Sequence, residues 1–286
     1  MRGFAFAVIW VSLRAMMMSP DMSLIEPNVM GFLLIAGAAF LGAMSKAGFG
    51  GALASLSLPL AILVLPPGTA LAVLLPVFLL ADFYVGWRYR KFAVRRYVII
   101  MVIAATVGQL LGWLLFKQIS EAMLILLIGL LAAYTGLRYF AQVLRAPQPV
   151  AHSRSQARAM RAVAGKRAGF WCGLSGLASF ISLTGGIPAQ AYLLAMRLPR
   201  VYFVGTMGWF FLSINLAKLP FFIELGLFTP ASLTASALLA PLVPLGVWTG
   251  QFFLKRISDV WFYHISQACL LIFGAKMVFE VLRGGL

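Results

Sequence analysis

The sequence predicts an all-α integral membrane protein of two homologous halves, and three observations carry that prediction. Of 286 residues, 62% are hydrophobic and 10% are charged, with a mean hydropathy of +0.97, whereas a soluble domain carries about 25% charged residues. The apolar residues fall into two sets of five runs. The chain also repeats itself: Gly50-Gly51 and Gly185-Gly186 stand 135 residues apart, each pair interrupting an apolar run. Gly68-Thr69 matches Gly205-Thr206 at 137, and residues 108–120 match residues 246–258 at 138. A duplicated membrane unit with helices broken at corresponding places is the sequence picture of a secondary transporter, in which the breaks mark the binding site.

Residues 1–27 form an N-terminal extension, read as a signal segment, an extra membrane helix or an upstream start, with Met22 as an alternative start. The first repeat spans residues 28–144, with runs 28–46, 48–65, 68–87, 97–116 and 121–144. Residues 145–166 are the only long polar stretch and read as a cytoplasmic linker, either flexible or a surface helix touching anionic lipid. The second repeat spans residues 167–286, with runs 167–183, 185–198, 200–223, 230–254 and 259–282. Crossing the hydrocarbon takes about 20 helical residues. The runs after the glycine pairs, 48–65 and 185–198, are short, and read as half-helices or as arms of re-entrant hairpins.

Charge orients the halves. Arg88, Arg90, Lys91, Arg95 and Arg96 fill one loop, and Arg145, Arg154, Arg158, Arg161, Lys166 and Arg167 lie at the linker. With five crossings per half the second half is inverted, Arg197, Arg200, Lys255 and Arg256 join the cytoplasmic side, and only Lys117 and Arg283 face out. That is 15 basic residues inside against 2 outside; four crossings per half give parallel copies and 12 against 5. The positive-inside rule prefers inverted repeats. The expected location is a bacterial cytoplasmic (inner) membrane, crossed many times.

Lys46 ends an apolar helix just before Gly48-Phe49-Gly50-Gly51. A lysine at the membrane centre costs roughly 2.5–3.5 kcal/mol on insertion scales. Beside a glycine break, where backbone N–H groups are free, it makes an anion site; its structural alternative is a side chain that snorkels to the surface. Ser45 and Thr184 offer hydroxyls at the two breaks. Asn215 and Lys218 lie three apart on one helical face, where they either hold an oxyanion or bridge helices. Asp82, within the run 68–87, is either a proton-coupling carboxylate or the ion partner of Arg88, Lys46 or Lys218. Glu224 is a salt partner for Lys218 if the helix ends between them. Arg138 and Tyr139 read as interfacial anchors.

The net charge of +16 sits in loops between apolar runs, without the basic, aromatic-interleaved stripe of a nucleic-acid binder. Cys172 and Cys269 lie in apolar runs and read as buried free thiols; His152 and His264 are far apart. No metal-ligand spacing, nucleophile–base set or phosphate loop is present, so the sequence predicts no enzyme, no cofactor and no metal. It assigns no oligomeric state.

The run Ser45-Lys46-Ala47-Gly48-Phe49-Gly50-Gly51, the downstream Leu75-Pro76 and Asp82, and Thr184-Gly185-Gly186 resemble the sulfite exporter TauE/SafE family. Gly205-Thr206, Asn215 and Lys218 add to the match, which covers roughly residues 28–283. Members often carry a second proline after the second glycine pair, where this chain has Gly186-Ile187-Pro188. The resemblance implies a permease of two homologous halves for sulfite, sulfoacetate and related organosulfur anions, with the site between the halves. The expected mechanism is alternating access around an oxyanion, cradled by backbone N–H groups of Gly50, Gly51, Gly185 and Gly186 with Ser45, Lys46, Thr184, Asn215 and Lys218, and with Asp82 coupling to protons. The alternatives are an anion channel or pore, a permease for another small organic anion, and a non-transporting membrane subunit.

Overall fold

The computed structural model describes residues 29–51, 53–115, 121–145 and 154–283. The N-terminal extension 1–27 and the linker stretch 146–153 lie outside the described residues. Every regular element among them is helical. The first half contributes α1 (Val29–Gly48), a 3-10 turn (Leu53–Leu56), α2 (Ser57–Ile62), α3 (Pro67–Arg88), α4 (Arg95–Leu115) and α5 (Glu121–Arg145). The second contributes α6 (Arg154–Ser182), α7 (Gly186–Leu194), α8 (Arg200–Glu224), α9 (Pro230–Leu239), α10 (Leu242–Arg256) and α11 (Asp259–Leu282). α6 begins inside the segment read as a linker and runs unbroken to the second glycine pair.

Among the described residues, five helices are long and apolar enough to cross a membrane: Met30–Gly48, Gly68–Arg88, Arg95–Leu114, Arg200–Glu224 and Asp259–Phe279. α9 and α10 together are also long and apolar enough to cross, with a bend of 44° between them. Sequence reading expects one helix over 230–254, and Pro241 is the reason for the bend. Proline lacks an N–H and collides with the carbonyl four residues back, so the helix stops and restarts there.

Each glycine break is the turn of a hairpin whose short arm folds back along the long one. In the first, Ser57 donates from Oγ to Ala38 O at 2.7 Å, and Gly31 lies against Val64. In the second, Ser175 Oγ donates to Gly185 O at 2.6 Å. α7 is nine residues long and buried throughout; at about 1.5 Å per residue it covers less than half of the hydrocarbon thickness. Prolines end both hairpins. Pro66 and Pro199, both extended, cap α3 and α8.

The halves pack reciprocally. The next-to-last helix of each half lies along the first of the other, as α4 on α6 and α10 on α1, while α3 pairs with α8 and α5 with α11. α3 and α8 run antiparallel: Gly68 at the start of α3 faces Leu227 beyond the end of α8, and Gly86 faces Gly208. α5 and α11 are antiparallel too, with Gly129 against Gly274 and Tyr139 against His264. The α4–α6 and α1–α10 pairs run parallel, and glycines make both possible. A side chain on Gly108 would strike the Gly173 backbone, and one on Gly250 would strike Met44 O and Gly48 N. Gly108/Gly112 and Gly246/Gly250 are the matched pairs of the 108–120 and 246–258 repeat, so that repeat encodes helix contact. In lipid, where burial in a partner gains little hydrophobic free energy, such small-residue contacts hold helices together.

Gly108→Leu and Gly250→Leu are expected to cost about 1–3 kcal/mol each by overpacking. Gly37→Leu, with nothing within 4 Å of its added side chain, is expected to leave stability unchanged. Thermal unfolding of the purified variants checks the contrast; three equal melting temperatures would dissolve the packing argument.

Candidate functional site

Lys46 sits in the last turn of α1, 5% exposed, and its ammonium donates to Asp82 Oδ1 at 2.7 Å. Asp82, on α3, is fully buried. Its other oxygen, Oδ2, accepts from Asn215 Nδ2 of α8 at 2.6 Å. The Lys46 ammonium also lies 4.4 Å from the Phe211 ring centroid and 4.9 Å from that of Phe78, so ring faces receive charge that would otherwise meet hydrocarbon. Of the partners open to Asp82 in the sequence, the structure selects Lys46; Arg88 and Lys218 do not form that contact.

Lys218, also fully buried, takes a different route. Its ammonium donates to Ser179 O and Ser179 Oγ, both at 2.8 Å. Glu224 is exposed and makes no ion pair with it, so that sequence expectation is corrected: α8 continues to Glu224, carrying the carboxylate beyond reach of a side chain pointing into the bundle. Lys218 interacts electrostatically with both Lys46 and Asp82. The buried cluster therefore brings together two lysine side chains and one carboxyl side chain.

A second regularity escapes the spacings 135, 137 and 138. Counted from the capping prolines Pro66 and Pro199, Phe78 and Phe211 occupy the same position, and Asp82 and Asn215 share the next equivalent one. Phe78-Leu79-Leu80-Ala81-Asp82 thus corresponds to Phe211-Leu212-Ser213-Ile214-Asn215. The equivalent rings flank one lysine, and the equivalent polar residues bond to each other. The signal in the sequence is the proline before each helix; the glycine-based alignment sets Asp82 opposite Leu219 and hides it.

The breaks meet here and use glycine differently. Gly50 and Gly51 have φ of +62° and +94°, a region other residues adopt with strain, and pack on Phe203 and Phe211. In the second break the positive φ, 55°, falls on Leu183, while Gly185 has an ordinary φ of −58°. There the glycines supply space. A side chain on Gly185 would strike Ser175 and Ser179, and one on Gly186 would strike Gly51 O. Gln190 of α7, fully buried and not singled out by the sequence, donates from Nε2 to Phe49 O at 2.5 Å and ties the breaks together. Gly51 N–H donates to Ser45 O at 3.0 Å, and the Ser45 hydroxyl accepts from Ala54 N–H at 3.1 Å. Both residues are committed to the turn, whereas the lysine and asparagine side chains gather around Asp82 and Ser179. Thr184 is buried beside the second break. Among the described residues, no group of His, Cys, Asp and Glu side chains has the geometry to hold a metal ion.

The family model described as "Sulfite exporter TauE/SafE" matches residues 34–277, and the chain belongs to that family. It is a membrane transporter family, not an enzyme family, and it implies a small sulfur-containing anion as substrate. No match was found among curated proteins or among solved structures.

Asp82→Leu leaves Lys46 a buried cation without its partner, a change that costs about 3–5 kcal/mol. Lys46→Met combined with Asp82→Leu is expected to recover most of that loss. Denaturation of the single and double variants decides it: a double variant no more stable than the single one would mean that the two charges do not neutralise each other.

Proposed function

We propose that this protein is a secondary transporter that moves sulfite or an organosulfonate such as sulfoacetate across the cytoplasmic membrane by alternating access. The observation that carries the reading is the buried Lys218, bonded to Ser179 and in none of the described ion pairs, beside the Lys46–Asp82–Asn215 cluster, where the two glycine breaks meet. A buried charge without a counter-ion is costly in an apolar interior, and a bound anion supplies the counter-ion. An ammonium has three donors, and Lys218 commits two to Ser179, leaving one for an oxyanion oxygen. Asn215, three residues away on α8, shares its face. The family supplies the sulfur, and the cluster supplies the charge.

Asp82 is the coupling group in this proposal. Ionised, it holds Lys46. Protonated, it releases the Lys46 ammonium, and two ammonium groups then face the anion. Anion and proton therefore travel together in the same direction. The halves act as inverted repeats that rock about the breaks. Antiparallel packing of the equivalent pairs α3/α8 and α5/α11 supports inversion, because a two-fold axis in the membrane plane reverses equivalent helices and an axis along the normal does not. The start of α8 also lies against the basic loop, where Thr206 Oγ1 accepts from Val94 N–H at 3.0 Å, as the charge count prefers.

Reconstituted into liposomes, the protein is expected to give saturable sulfite or sulfoacetate flux accelerated by a proton gradient. Lys218→Ala is expected to reduce it at least about tenfold, the effect of losing one hydrogen bond to a charged group. Asp82→Asn is expected to keep flux but lose its response to the gradient. Non-saturating flux would instead indicate a pore, and full activity in Lys218→Ala would remove the site. The inverted arrangement has its own check. Arg256→Cys labelled from the cytoplasmic side and Glu224→Cys from the outside would agree with it; the reverse pattern would make the copies parallel.

A further inference from the structure

Near the C-terminal end of α7 lies an open cavity of about 320 Å³, lined by α5, α6, α7 and α11. Three arginines line it: Arg138 from α5, Arg167 from α6 and Arg197 from the turn after α7. None forms an ion pair with a described carboxylate; the described ion pairs are Lys46–Asp82 and Arg200–Asp259. Arg138 and Arg167 are exposed and Arg197 is half-buried, so three guanidinium groups concentrate positive charge at the mouth of one open cavity, where it attracts an anion. Arg197 adopts φ of 48°, a left-handed conformation that costs a non-glycine residue free energy, and strain of this kind persists where surrounding structure enforces it.

A further observation points to a ligand. Tyr192 and Gln267 line the cavity and are 1% and 5% exposed. The Tyr192 hydroxyl and Gln267 Oε1 have no hydrogen-bond partner. Buried polar atoms are almost always paired, so two orphans beside three unpaired cations mark a site with an occupant. The hydroxyl donates to an anion oxygen, and the carboxamide oxygen accepts from a ligand hydroxyl or a water held by the ligand. Guanidinium forks match phosphate, sulfonate and carboxylate oxygens in pairs.

We infer that this cavity is a second oxyanion site, separate from the Lys218 cluster, in which Arg138, Arg167, Arg197 and the Tyr192 hydroxyl hold a phosphate-like group. The inference does not depend on what the central cluster transports. The same chemistry is offered by a soluble oxyanion and by the headgroup of an anionic phospholipid.

The test is native mass spectrometry of the delipidated full chain, titrated with inorganic phosphate and, separately, with phosphatidylglycerol or phosphatidylcholine. One bound phosphate or one bound phosphatidylglycerol is expected, and no phosphatidylcholine. Binding of phosphate identifies a soluble occupant, and binding of phosphatidylglycerol alone identifies a headgroup. Arg167→Gln with Arg197→Gln is expected to weaken binding at least about tenfold. Tyr192→Phe, which deletes only the orphan hydroxyl and keeps the ring, is expected to weaken it several-fold and serves if the arginine variant fails to fold. The inference is overturned if neither probe binds, or if both variants bind as the wild type does. It is also overturned if Lys218→Gln abolishes binding, which would assign the anion to the central cluster.

Discussion

A carboxylate in an apolar interior has to be satisfied, and in this protein the two groups that satisfy it come from two other helices, one in each half. Asp82 on α3 accepts from Lys46 at the end of α1 and from Asn215 on α8. The bonds fix where α1 ends relative to the antiparallel α3–α8 pair. They also fix the place of the first break, because Lys46 is followed directly by the turn through Gly50 and Gly51. The aromatic rings of Phe78 and Phe211 close around the same ammonium. Breaking any one contact exposes a charge to hydrocarbon, so the arrangement is held by the penalty for its loss more than by the net strength of its bonds.

Around that centre the helices are brought close by the absence of side chains. The glycines on α4 and α10 sit against backbone of α6 and α1 at separations no larger residue tolerates. Lipid offers apolar side chains as favourable a surrounding as a neighbouring helix does, so close backbone packing decides which helices associate. The two structural demands are therefore met by different residues. Glycines on α4 and α10 join the halves, and charged residues near the breaks form the buried polar cluster between them. Gln190 connects the two hairpins by donating to Phe49 O.

Repetition in the chain has two meanings, and they are easily confused. The match between residues 108–120 and 246–258 is the strongest by identity, yet it encodes helix contact. The weaker correspondence, Phe78 and Asp82 with Phe211 and Asn215, encodes the buried polar cluster. It appears only when the repeats are aligned on Pro66 and Pro199, the residues that start the equivalent helices. The pair has diverged where symmetry would be harmful, because two carboxylates bonded to each other would repel, whereas a carboxylate and a carboxamide share a hydrogen bond.

The sequence by itself determined the membrane class, the two halves, the two breaks and most of the polar residues at the centre. Composition, apolar run length and rare intramembrane charges are local properties, and they are written residue by residue. It left open whether Asp82 pairs with Arg88, Lys46 or Lys218, and it offered Glu224 to Lys218. Those choices depend on which helices adjoin and in which direction they run, since a side chain reaches only a few ångströms and sequence separation says nothing of distance across a bundle. For the same reason Arg138 and Tyr139 read as interfacial anchors, whereas packing of α5, α6, α7 and α11 gathers them with Arg167 and Arg197 around one cavity. Gln190 carried no sequence signal at all, because its role exists only where the two breaks touch. Tertiary structure alone decided the partners, because the partner of a buried polar group is set by what packing brings within hydrogen-bond reach.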